Sequence, residues 1–376
     1  VQLRVKKEKN NAVETYELTR KKIELSTSEV KGKIIETGER LPGKTGRIGV
    51  ISIPSFYRDF RGAQRGDENF KSTARDVRKV LYDFRDQGGV DGVVVDLRFN
   101  GGGALSEAIE VSGLFVDEGP VVQVKQMDGE RKIHSDVEPG AVYTGPLVVV
   151  CNRLSASASE IFAGVIKDYK RGLIIGDTTT HGKGTVQNVM PVSNQMFSFL
   201  RGQDLGALKL TINQFYRVNG DSTQNRGVRS DIVLLSLIDN MDLGESFLDD
   251  AMEFDQTEVA QFAPVGMVNP QILDQLKQSS SKRIVADKEF KETQEEIDKY
   301  LQKKNQKTIS LNEVTRRKEL SSDKEKEKED KKKEEEKAKK EAADKEIFKK
   351  DYYNDEILNI TVDYMNVLKN MNTVQR

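Results

Sequence analysis

The feature that most constrains this chain is a pair of short, almost wholly apolar runs. Residues 91–97 read DGVVVDL and residues 146–151 read PLVVVC. Each is the length of a buried strand, and each runs into a turn of small residues. The first turn is Asn100-Gly101-Gly102-Gly103, followed by a helical pattern over 104–116. The second is NRLSASAS, followed by a helical pattern from Ser157 to about Tyr169. Upstream, RIGVISIPSFY is strand-like, and Phe70, Ala74, Val77, Val80, Leu81 and Phe84 fall at helical spacing. A short strand at 173–176 and further strands through Tyr216 complete the pattern. Strands alternating with helices predict a mixed α/β (α+β) core over about 46–235.

The flanks differ. Residues 1–45 are polar with short alternating stretches, and VQLRVKK reads as the last strand of something, so the chain is expected to be a fragment. Residues 240–315 look polar and mostly helical. Of the 24 residues 323–346, 21 are charged (10 Lys, 11 Asp or Glu), too polar to build a core. This segment is expected to be a solvated helix held by i,i+4 pairs or to be disordered. Apolar residues at 347–348 and 357–367 predict a terminal helix that docks on something. No internal repeat is found.

Composition narrows the chemistry. The 60 basic and 61 acidic side chains leave a net charge of −1, which excludes a global positive field for nucleic acid. No run of 18 or more apolar residues is present. The one cysteine, Cys151, excludes an internal disulfide and a Cys-rich metal site, and two histidines, His134 and His181, leave little for a His-based one. Chemistry is therefore expected from Ser, Lys, Asp, Glu or backbone groups.

Three constellations could carry it. The glycine turn fails the dinucleotide pattern G-x-G-x-x-G, because Ser106 stands in place of the third glycine. Its other uses are a tight turn or an oxyanion hole, where glycines let backbone N–H groups face a developing negative charge. RGLIIGDTTTHGKGT fails Walker A twice, since five residues separate Gly176 from Gly182 and Gly184 follows Lys183. Lys183 is then either a surface lysine or a functional one. Ser155, Ser157 and Ser159 alternate with alanines at a helix start; one can cap the helix with help from Glu160, and three exceed that need. A serine nucleophile needs a base. His181 competes with Lys183 for that role, and His134 lies in a polar stretch without an apolar frame. A lysine base must be neutral, which takes roughly 3 pKa units, or about 4 kcal/mol, from burial and neighbours. Gln187, four residues on, could orient the amine without adding charge.

At these residues the sequence resembles the tail-specific proteases, or C-terminal processing peptidases, a family of Ser–Lys serine endopeptidases. DLRFNGGGALSEA, SASASEIFAG, GKGTVQ and FYRVNGDSTQNRGVRSDI stand in the family's order, and the resemblance covers roughly residues 20–376. The charged region after ISLNE is typical of the larger, periplasmic Gram-negative branch. The resemblance implies Ser157 as nucleophile, Lys183 as neutral general base and Gln187 as the residue that positions it. It also implies an oxyanion hole from the N–H groups of Ala158 and Gly103, with Gly102 beside it. It implies no metal and no organic cofactor, and polypeptide substrates with apolar C-termini. It further implies a periplasmic location that allows peripheral membrane association, and a PDZ domain before the core, of which residues 1–45 would be the end and linker. The protease core would then be 46–238 and the helical C-terminal domain 239–376. The alternative is a catalytically idle peptide-binding scaffold, engaging a partner such as a lipoprotein adaptor through its charged region. Three positions depart from the family pattern: His181 replaces an aromatic residue in a loop one residue longer, Ser230 a proline, and Phe99 an asparagine.

Overall fold

The computed structural model of the chain describes residues 1–7, 12–19, 29–126, 128–192, 205–308, 311–314, 317 and 347–374. The charged segment 323–346 lies outside the described residues.

The centre is a six-stranded sheet. Its strands are β3 (Lys31–Glu36), β4 (Arg47–Ser52), β5 (Gly92–Asp96), β8 (Leu147–Cys151), β9 (Leu173–Gly176) and β12 (Ile232–Val233). Their spatial order is β12-β9-β8-β5-β4-β3; β4 through β12 run parallel, and β3 pairs antiparallel with β4 at the edge. Both faces of this sheet are covered, which is why β5 and β8 read as near-continuous apolar runs.

One face packs against α2 (Thr73–Asp86), α3 (Leu105–Gly113) and α4 (Ala158–Asp168). Ala74, Val77, Leu81 and Phe84 of α2 meet Val93, Val95, Leu147, Val149 and Ile174 there, with Phe162 and Ile166 from α4. Of the residues at helical spacing, Ala74, Val77, Leu81 and Phe84 form the buried stripe of α2 and Val80 is partly buried, while Phe70 precedes the N-cap Ser72, whose hydroxyl accepts the Arg75 N–H at 3.3 Å. The opposite side chains of the same strands, Val94, Val148, Val150, Leu173 and Ile175, meet α5 (Pro270–Ala286) and α7 (Tyr352–Val374). The terminal apolar pattern therefore docks on the second face of the sheet, burying Ile357, Leu358, Ile360 and Tyr364 completely. Between these helices lies α6 (Lys288–Lys304), and α1 (Phe60–Gln64) is a short turn near the start of the core.

A second, antiparallel sheet has the order β10-β11-β6-β7, from β6 (Gly119–Lys125), β7 (Arg131–Asp136), β10 (Thr185–Pro191) and β11 (Ala207–Tyr216). An exposed hairpin, β1 (Gln2–Lys6) with β2 (Val13–Glu17), forms from the alternating N-terminal stretches. The polar stretch from 240 is less helical than its composition predicts. Residues 241–269 hold one short 3-10 turn, Glu245–Phe247, and helix begins at Pro270 after Asn269, whose side chain accepts the Ile272 N–H. Main-chain bonds fix this path instead, among them Thr257 N–H to the Gly220 carbonyl and Ala260 N–H to the Val218 carbonyl, and Ala260 and Phe262 pack on the core.

Candidate active site

Because β5, β8 and β9 are adjacent and parallel, the loops leaving their C-terminal ends lie side by side. These three loops carry, in order, the glycine turn, the serines and Lys183.

The glycine turn is built on Asn100, which is fully buried. Its amide donates to the Ile53 carbonyl at 2.7 Å and its carbonyl oxygen accepts the Gly102 N–H at 2.9 Å. Its backbone carbonyl accepts the Ala156 N–H at 3.0 Å and the Ser159 hydroxyl at 2.9 Å, which ties the glycine loop to the serine loop. Gly102 has φ +101°, and a Cβ there would lie 2.8 Å from Ser157 Cβ and 3.0 Å from the Ala158 nitrogen. Only glycine permits that approach. Phe56 brackets the next residue, donating to the Gly102 carbonyl at 3.0 Å and accepting the Ala104 N–H at 2.8 Å. Among the described residues, neither the Gly103 nor the Ala158 N–H meets an acceptor.

The three serines separate by what they bond. The Ser155 hydroxyl donates to the Leu97 carbonyl at 2.8 Å and accepts the Asn152 N–H at 2.9 Å. Ser159 is held on Asn100. Both are buried, whereas Ser157 is only half-buried. Ser157 caps α4 in a strained conformation, φ 58° and ψ −111°. A sharp, strained strand-to-helix turn is how a hydroxyl is presented above a sheet.

Glu160 holds this turn to the third loop. One carboxylate oxygen accepts the Ser157 N–H at 2.7 Å and the Lys183 N–H at 3.0 Å. The other accepts the Thr180 hydroxyl at 2.6 Å and the Gly182 N–H at 2.7 Å. Burial pushes the Glu160 carboxyl up to about 7 against these four donors, which favour the charged form. The pattern S-x-x-E is legible as a cap, but its second role, reaching a loop more than twenty residues on, is not. The available signal is one acid in the first turn followed by the run IFAGVI, which carries no polar side chain.

Lys183 is half-buried, and its Nζ donates to the Gln187 side-chain carbonyl oxygen at 3.2 Å. Gln187 stands on β10 where the pairing register with β11 shifts between Val186 and Gln187, an irregularity that re-aims a side chain. The fourth sequence block forms the floor of this loop. Thr223 donates to the Lys183 carbonyl at 2.8 Å, the Gln224 side chain accepts the Gly184 N–H at 2.8 Å, and Asn225 donates to the Gly182 carbonyl at 2.8 Å. Ser230, at the position of the expected proline, donates to the Asp177 carbonyl through its hydroxyl.

The histidines take other places. His181 donates its N–H to the Ser155 carbonyl at 3.0 Å, and its buried Nδ1 lies 3.8 Å from Glu245. Burial lowers its pKa, with Glu245 opposing and Lys183 adding to the shift. His134 lies on β7 opposite Val122, in the second sheet. Among the described residues no group of three His, Cys, Asp or Glu could hold a metal ion, and no helix is long and apolar enough to cross a membrane.

A parallel sheet that aligns a strained serine, a glycine loop with free N–H groups and a lysine loop defines a class, and comparison with known proteins places it. Residues 47–234 match the model of peptidase family S41, and the chain belongs to that family of peptidases. Residues 238–366 match the C-terminal domain of tail specific protease. The chain is 38% identical over 328 residues to the tail-specific protease of Haemophilus influenzae, covering 86% of this chain and 44% of that protein. It is 34% identical over 168 residues to the carboxy-terminal-processing protease of Bartonella bacilliformis, covering 44% of this chain and 36% of that protein. Among solved structures it resembles the photosystem II D1 C-terminal processing protease, with a TM-score of 0.45 and 28% identity over 62% of this chain and 55% of that one. The chain thus spans less than half the length of the two curated relatives.

Proposed function

We propose that this chain carries the catalytic centre of a serine endopeptidase that cleaves polypeptides near their C-termini with a Ser157–Lys183 dyad. The observation that carries the reading is the Glu160 oxygen shared by the Ser157 and Lys183 N–H groups, which fixes the two loops against each other.

The Ser157 hydroxyl attacks the scissile carbonyl carbon while neutral Lys183 takes its proton. The new oxyanion lies against the Gly103 and Ala158 N–H groups, with Gly102 leaving room beside them. The carbon–nitrogen bond breaks, Lys183 gives the proton to the leaving amine, and an acyl-enzyme on Ser157 remains. Water, deprotonated by Lys183, then releases the acyl group and restores the hydroxyl. Gln187 accepts an N–H of Lys183 and keeps the amine aimed without adding a charge that would hold it protonated. No step uses a metal or an organic cofactor. Polypeptides with apolar C-termini as substrates, a periplasmic setting, a lipoprotein adaptor and peripheral membrane association belong to the same reading, supported by the similarity to tail-specific proteases.

The test is hydrolysis of an unfolded protein at pH 8 by the chain and by its Ser157→Ala and Lys183→Ala variants. Both variants are expected to lose activity by at least about a thousandfold. Undiminished hydrolysis by either contradicts the dyad.

A further inference from the structure

The start of the C-terminal region grips the serine and lysine loops from behind. Asp239 sits in the 3-10 turn Ile238–Asn240. One of its carboxylate oxygens accepts both the Thr178 N–H, at 3.0 Å, and the Thr178 hydroxyl, at 2.6 Å. Thr178 opens the loop that carries Lys183. The other oxygen stands 3.9 Å from Arg153 Nε, in the loop that carries Ser157. Both of those atoms are buried, and neither has a hydrogen-bond partner among the described residues. The Arg153 backbone is fixed in turn, donating its N–H to Asp177 at 2.8 Å. Asp177 is itself 1% exposed and immediately precedes Thr178.

Two further contacts extend the grip. The Glu245 N–H donates to the His181 carbonyl at 2.9 Å, and Gly244 packs so closely that a Cβ there would come 2.8 Å from the same oxygen. From outside, the Lys304 ammonium at the end of α6 bonds Asp242 at 2.5 Å and the Asn240 carbonyl at 3.3 Å, which pins the segment in place.

We infer that Asp239 is a positioning residue for the peptidase reaction, holding the nucleophile and base loops at a fixed separation through Arg153 and Thr178. A carboxylate divided between two loops does little for the core, since it contributes no apolar area. Its geometric effect is on the one distance that Ser157 and Lys183 need. Misplacement of reacting groups by about 1 Å can cost on the order of a hundredfold in rate. The inference rests on the dyad reading.

The experiment uses the whole chain and a fluorophosphonate, which reports the Ser157–Lys183 pair without a peptide-binding step, together with kcat and KM for hydrolysis of an unfolded protein. Asp239→Ala is expected to lower the phosphonylation rate and kcat by about 10–100-fold. KM should stay within about threefold and the folded fraction unchanged. Asp239→Asn keeps an acceptor for Thr178 and loses the charge facing Arg153, so it should recover part of the rate. If Asp239→Ala does not fold, Thr178→Val, which removes one of the two bonds, should still slow labelling by about 3–10-fold. A folded Asp239→Ala, or failing that a Thr178→Val, labelled within twofold of the unmodified chain overturns the positioning role alone. An unmodified chain that is not labelled at Ser157 overturns the dyad and this inference with it.

Discussion

The Glu160 oxygen that accepts the Lys183 N–H at 3.0 Å is the same one that accepts the Ser157 N–H at 2.7 Å. Serine and lysine come from loops after different strands, and this acid ties the two together at their backbone N–H groups. Four donors converge on it, and only the ionised carboxylate accepts all four.

Glu160→Gln replaces an acceptor oxygen with an N–H₂ that faces backbone donors. Activity should fall by about a hundredfold or more, with the fold retained. The pH dependence follows from the raised value, about 7 against an ordinary 4.5. The folded chain holds this proton more tightly than the unfolded chain, so Glu160 ionisation lowers stability as pH rises from about 4.5 to about 7. Activity should move the opposite way, rising through about 7 as the carboxylate forms. Thermal unfolding of both forms between pH 4.5 and 8 checks the first statement, because the variant should lack this contribution to the slope.

Gln187→Ala removes the acceptor of the Lys183 Nζ–H and should lower kcat by about 3–10-fold, the worth of one hydrogen bond. Gln187→Glu should do worse at neutral pH, since a carboxylate there favours protonated lysine, and should regain rate as pH rises. A pH–rate profile of the two variants separates charge from orientation; superimposable profiles would show that Gln187 does not set the lysine's protonation.

Gly102→Ala places a methyl group 2.7 Å from the Ala156 carbonyl and 2.8 Å from Ser157 Cβ, at φ +101°. The variant should lose about 1–3 kcal/mol of stability and nearly all labelling by a fluorophosphonate. Denaturant unfolding and labelling read the two effects separately.

Phe99 holds φ 63° and is 62% exposed. Left-handed backbone costs a bulky residue about 1–2 kcal/mol and costs asparagine less. Phe99→Asn should therefore raise stability by about 0.5–1 kcal/mol, seen as a higher Tm. A lower Tm would mean that the ring has packing worth more than the strain.

Much of this arrangement was readable from the residues, because buried parallel strands and helix stripes have local periods. The strand runs at 91–97 and 146–151 and the stripe of α2 fall where expected. The serine triplet did not say which member stays half-exposed; that depends on the Leu97 and Asn100 carbonyls, which belong to another loop and hold Ser155 and Ser159. Asn100, Thr180 and Gln224 carry no periodic signal, since their partners are distant backbone groups. The polar pattern over about 240–315 predicts mostly helix, which holds for Pro270–Ala286 and Lys288–Lys304, but 241–269 form a strap held by main-chain bonds, whose partners are distant in sequence. Asp239 and Glu245 lie in or at the start of that strap.

The central claim is that Ser157 is a nucleophile activated by Lys183. The most direct measurement is peptide mapping by mass spectrometry after fluorophosphonate treatment of the chain and of Lys183→Ala across pH 6 to 10. The account predicts a single adduct on Ser157, formed at a rate that rises with pH in the unmodified chain and is lost in the variant. An adduct on another residue, or equal labelling of Ser157 in Lys183→Ala, would contradict it.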